Sequence, residues 1–75
     1  MSTIIKFGKL RHVGYSSELS PEENVVLGRN KGFSYLRIGK ELNLLATLNK
    51  SNHHAHAVFK EASRIAYRMH DEYKR

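Results

Sequence analysis

The residues whose types and spacing suit chemistry gather toward the end of the chain. Asn52-His53-His54-Ala55-His56 opens a stretch in which Lys60, Arg64 and Arg68 recur at every fourth position. On a helix, positions three and four apart share a face, so His53, His56, Lys60, Arg64 and Arg68 line up as one ridge. Amides and imidazoles can hydrogen-bond base edges, while ammonium and guanidinium groups neutralise phosphates. The spacing therefore predicts a nucleic-acid surface: Asn52, His53 and His56 toward bases, Lys60, Arg64 and Arg68 along the backbone. A long amphipathic helix also wears Lys and Arg on its wet face simply to be solvated. The ridge is a candidate, and its neighbours must decide it.

Two further groups belong to the same question. Lys6, Lys9 and Arg11 precede the helical part and would form a basic arm on the backbone or in a minor groove. Ile5 and Phe7, at alternate positions in that segment, would instead anchor a strand added to a partner's sheet edge. Leu44, Leu45 and Leu48 exceed what one helix stripe needs, and they predict a patch for a protein partner or a second copy.

Other chemistries find little support. No residue set suggests a catalytic centre: Ser16, Ser17 and Ser20 have no identifiable base, and Glu22 and Glu23 are explained by helix capping. Gly28-Arg29-Asn30-Lys31-Gly32 lacks the Gly-Lys-Ser/Thr ending of a phosphate-binding loop. The histidines invite a metal, but a useful zinc site needs three or four converging ligands. No metal site, cofactor or enzymatic activity is expected.

The chain's 75 residues allow one domain and one core, and its formal charge of +6 favours a polyanionic partner. That charge is spread along the sequence, with no polybasic tail. The absence of cysteine excludes disulfides and thiolate metal sites and suits a reducing cytoplasm. No apolar run approaches the ~20 residues of a spanning helix or the ~7–15 of a signal sequence, so a cytoplasmic protein without membrane association is expected.

The elements that must position these residues are mainly helical. Residues 1–18 mix β-branched, aromatic and basic types and predict an arm or short strands. At Ser20-Pro21-Glu22-Glu23 the character changes to a helix start: Ser as N-cap, Pro in the first turn, Glu three residues after the cap. That helix covers 20–30, with Val25 and Val26 on its apolar face and Gly28 and Asn30-Lys31-Gly32 ending it. Ser34 caps a second helix over 34–48, where Tyr35, Ile38, Leu42 and Leu45 recur at helical spacing. Ser51 or Asn52 caps a third over 51–74, with Ala55, Val58, Phe59, Ala62, Ile65, Ala66, Met69 and Tyr73 on one stripe. A three-helix bundle with a long C-terminal helix and a short N-terminal β or extended segment is the expected fold.

The middle of the chain resembles the helix-turn-helix of sigma-factor region 4 and LuxR-type regulators. The resemblance covers residues 19–44 and rests on the Leu19-Ser20-Pro21-Glu22 opening and on Gly32, Ser34, Ile38, Gly39 and Leu42. It implies DNA binding through a later recognition helix. After Leu42 the pattern departs from the family, because Leu44-Leu45-Ala46-Thr47-Leu48 reads as continued helix. Either the turn carries an insertion, or helix two is extended and the third helix is the reader.

The expected function is a small basic transcription regulator of bacterial or phage type that binds DNA through its third helix, with structured RNA as an alternative target. The competing expectation is a factor that binds and modulates RNA polymerase or another host protein. A homodimer is compatible with either.

Overall fold

A computed structural model describes residues 13–73. They form three helices: α1 (Pro21–Asn30), α2 (Tyr35–Leu48) and α3 (His53–Tyr73). The mainly helical three-helix architecture, with the last helix longest, is the expected one. The predicted arm or strands over 1–18 fall largely outside the described residues. The described part contains no strand; Val13 is helical and buried, and residues 14–20 are turns and loop leading into the first helix.

Helix α1 starts at a capping box. The Glu23 amide donates to Ser20 Oγ at 3.1 Å and the Ser20 amide donates to Glu23 Oε1 at 2.8 Å. It ends in a Schellman motif, in which Gly32, at φ 85°, donates to the Arg29 carbonyl and Phe33 donates to the Gly28 carbonyl. Only glycine takes that left-handed turn without steric cost. Gly28 does not end the helix, as its type suggested; it is buried within the last turn. Val26 also departs from expectation, being 54% exposed. A ten-residue helix presents a narrow stripe, and Asn24, Val25 and Gly28 fill it.

Asn24 explains how the loop before α1 is held. Its side chain is fully buried; Nδ2 donates to the Ser16 and Ser20 carbonyls, and Oδ1 accepts from the Ser16 amide at 2.9 Å. Amide and carbonyl are thus both satisfied, which burial demands.

Helix α2 is capped by Ser34, whose Oγ accepts from the Arg37 amide. It continues unbroken through Leu48, so the apolar run after Leu42 extends helix two. Helix α3 starts one residue later than the Ser51 alternative: Asn52 Oδ1 accepts from the Ala55 amide at 3.1 Å. Its buried stripe is built of small residues, Ala55, Ala62, Ser63 and Ala66, around Phe59. Small side chains let α3 lie close on α2, where Ile38 and Leu42 are fully buried. Ser63 Oγ donates to the Gly39 carbonyl at 3.0 Å, and a β-carbon at Gly39 would meet the Tyr67 ring at 3.1 Å. Tyr73 is not part of the core; it is 69% exposed. Among the described residues no helix is long and apolar enough to cross a membrane.

Candidate nucleic-acid interface

The predicted ridge divides into residues committed to holding the fold and residues left at the surface. Asn52 commits its side-chain oxygen to the α3 cap. His56 lies 2.7 Å from the Ala46 carbonyl through Nδ1. A carbonyl can only accept, so Nδ1 carries the hydrogen, and the imidazole donates to the last turn of α2. By the same reasoning His54 Nε2 donates to the Ser17 carbonyl at 3.0 Å, joining the first turn of α3 to the loop before α1. Two histidines of the cluster are therefore tertiary fasteners, each on a different segment. Of the expected base-contacting trio, His53 alone is exposed with no such tie among the described residues. Among the described residues no three of His, Asp or Glu approach closely enough to share a metal ion.

The cationic half of the ridge stays outside. Lys60, Arg64 and Arg68 are all exposed. Arg64 meets Glu61 only at 3.9 Å, with most of its side chain in solvent, a pair of little energetic weight. Lys60 reaches across to α2, where Nζ donates to Asn43 Oδ1 at 3.1 Å. That bond uses one of three ammonium hydrogens and fixes the lysine over the seam between the helices.

The seam adds residues that the one-dimensional pattern missed. Lys40 is exposed and precedes Asn43 by one turn of α2. Tyr67, over Gly39, places a partly exposed ring on the α3 side. Lys60 with Asn43 thus makes a seam between two helices, Tyr67 lies over Gly39 beside it, Arg64 and Arg68 continue from Lys60 at four-residue spacing, and Lys40 stands one turn before Asn43. Local sequence carried no sign that Lys60 would meet Asn43, because the register of α2 on α3 is set by Gly39 and Ser63.

The other predicted positions divide similarly. Leu44 and Leu48 are 40% and 43% exposed, one turn apart, while Leu45 packs partly against the core. Lys6, Lys9, Arg11, Ile5 and Phe7 lie outside the described residues.

One buried-edge network stands apart from the seam. Tyr15 donates its hydroxyl hydrogen to Glu41 Oε1 at 3.0 Å, and Arg37 Nε donates to Glu41 Oε2 at 3.0 Å. Burial raises the Tyr15 pKa well above the ordinary tyrosine value, and the negative charge and hydrogen bond of Glu41 raise it further. Arg37 also stacks on Phe33, its guanidinium carbon 3.7 Å from the ring centroid. Tyr15 is a structural clamp.

No family model, curated protein or solved structure matches this chain.

Proposed function

We propose that this chain is a small nucleic-acid-binding regulator of bacterial or phage type that engages DNA through the α3 ridge and the adjoining edge of α2. In this reading Lys40, Lys60 and Arg64 neutralise backbone phosphates, and Arg68 extends the track. His53 is the side chain of the first turn left to approach a base edge. The helix-turn-helix resemblance then assigns α1 and α2 as the supporting pair and α3 as the reader. The observation that carries the proposal is the seam itself: Lys60 of α3 bridges to Asn43 of α2, exposed Arg64 and Arg68 follow it on α3, and exposed Lys40 precedes Asn43 by one turn of α2. With most of the base-contacting trio committed to the fold, affinity would come mainly from phosphates, and sequence preference would be shallow.

Fluorescence anisotropy on a labelled duplex across a salt series tests it. Wild type should bind with a steep negative salt slope. Lys40→Ala, Lys60→Ala and Arg64→Ala combined should flatten that slope by about 0.9 for each phosphate no longer neutralised. Absence of binding at low salt, or an unchanged slope in the triple variant, rejects the reading.

A second reading rests on Leu44 and Leu48, exposed on successive turns of α2. Such a pair suits a partner such as RNA polymerase or a second copy of the chain. Leu44→Glu with Leu48→Glu should abolish capture of purified polymerase, or dissociate a dimer in sedimentation, if either holds. Unchanged behaviour in both assays removes this reading.

A further inference from the structure

Where the end of α1, the start of α2 and the end of α3 meet, the molecule has an open cleft of about 550 Å³ lined by Arg29, Ser34, Tyr35, His70 and Tyr73. Its volume falls in the range of small-molecule sites, about 300–1,000 Å³. The rings of Tyr35 and Tyr73 are stacked, with centroids 5.7 Å apart and planes 11° from parallel. The Arg29 guanidinium carbon lies 4.4 Å from the Tyr35 centroid, while Nη1 donates to the Phe33 carbonyl at 2.9 Å. The guanidinium is thus oriented by a ring and a carbonyl, and it retains further N–H groups to donate.

Tyr73 is the informative member. An aromatic ring 69% exposed would ordinarily move freely, yet this one lies in register on a second ring. It adds flat π surface to the same cleft that Arg29 lines, and the guanidinium there can bind an anion. The Ser34 oxygen accepts from the Arg37 amide, so its hydroxyl hydrogen remains available at the same rim.

We infer that this cleft binds a nucleoside monophosphate unit, its base stacked on Tyr73 and its phosphate held by Arg29 with help from Ser34 and His70. Flat rings accept any base, because every base has a π face, and guanidinium is the side chain best shaped for phosphate. The unit can be a free nucleotide or the 5′-phosphorylated end of a single strand; the chemistry is shared. The site uses none of the seam cations, so it stands independently of the duplex-binding proposal.

The test uses the full chain and a 3′-labelled, 5′-phosphorylated tetra-deoxyadenylate in fluorescence anisotropy, with AMP and adenosine as competitors. Binding is expected, with adenosine at least about tenfold weaker than AMP because it lacks the phosphate. Tyr73→Ala should weaken binding about fivefold or more, the range of single-base stacking, while Tyr73→Phe retains it. Arg29→Gln should weaken AMP and leave adenosine unaffected. Far-ultraviolet circular dichroism confirms that each variant is folded; Tyr73 lies outside the core and Arg29 on the surface.

Competition by AMP identifies the free nucleotide as sufficient; binding of the oligonucleotide without it assigns the site to strand ends. Both uphold the cleft provided Tyr73→Ala weakens binding by the expected fivefold or more. The inference is overturned if neither probe binds at millimolar concentration, or if Tyr73→Ala and Arg29→Gln both bind like wild type. The Lys40, Lys60 and Arg64 triple variant should keep AMP binding intact, so failure of the seam and failure of the cleft are separable.

Discussion

Gly28 of α1 and Ile38 of α2 approach so closely that a β-carbon on the glycine would lie 2.6 Å from the isoleucine Cγ1 and 2.8 Å from its Cδ1. The Tyr15 hydroxyl oxygen, also at 2.8 Å, closes the remaining side. The absent side chain is therefore what admits α2 to α1 at this point.

Gly28→Ala should destabilise the protein despite alanine's better helix propensity. Overpacking costs about 1–3 kcal/mol, and the propensity gain offsets about 1 kcal/mol of it. Urea denaturation should show a lower midpoint. Combined with Ile38→Ala, the loss should fall short of the sum of the single losses, because the second change removes the obstructing carbons. Simple additivity would show that the close approach is not what Gly28 secures.

Asn24→Ala removes three hydrogen bonds to Ser16 and Ser20 at once. Unpaired backbone groups at a part-buried site cost about 1–3 kcal/mol. The Ser16 amide should exchange with solvent much faster than in wild type, while amides at the centre of α3 keep their rank among the slowest. Protection of Ser16 unchanged by the substitution would contradict this account of the loop.

Tyr15 gives the protein an alkaline dependence. Its native pKa lies above the unfolded value near 10, through burial first and Glu41 second. The neutral phenol is what the fold prefers, so its contribution is complete below pH about 10. It is lost as pH rises from there toward the higher native value, since only the unfolded chain gains from ionising. Tyr15→Phe should be less stable at neutral pH by about 0.5–1.5 kcal/mol, the worth of one hydrogen bond. Its stability should also decline less steeply above pH 10. Parallel alkaline limbs for both proteins would refute the assignment.

His56 separates fold from function on the ridge. Its Nδ1 serves the Ala46 carbonyl, so His56→Ala should lower stability by about 1 kcal/mol. Under conditions where the variant is folded, duplex affinity should stay within about twofold of wild type. A larger loss of affinity would make the imidazole a nucleic-acid contact instead.

How far the sequence reaches follows the range of the forces involved. Capping acts within one turn, which is why Ser20 with Glu23, and Ser34, were legible as helix starts. Periodicity acts along one helix, and it placed Ile38, Leu42, Phe59, Ala62 and Ala66 in the core correctly. The same rule misplaced Val26 and Tyr73, because a stripe states which residues share a face without stating where the neighbouring helix stops covering it.

The ridge shows the other limit. Sequence alone put Lys60, Arg64 and Arg68 on one face, a consequence of helical geometry that needs no tertiary knowledge. It could not divide the histidine cluster, since His54 finds its partner 37 positions away and His56 finds one 10 positions away. Nor could it bring Lys60 to Asn43, or Arg29, Tyr35 and Tyr73 to one cleft. Those meetings depend on how closely the three helices approach and in what register, and that was settled by the glycines at 28 and 39, which admit Ile38 and Tyr67 against the backbone. Local bonding determined the helices; packing at missing side chains determined which polar groups were left to meet a partner.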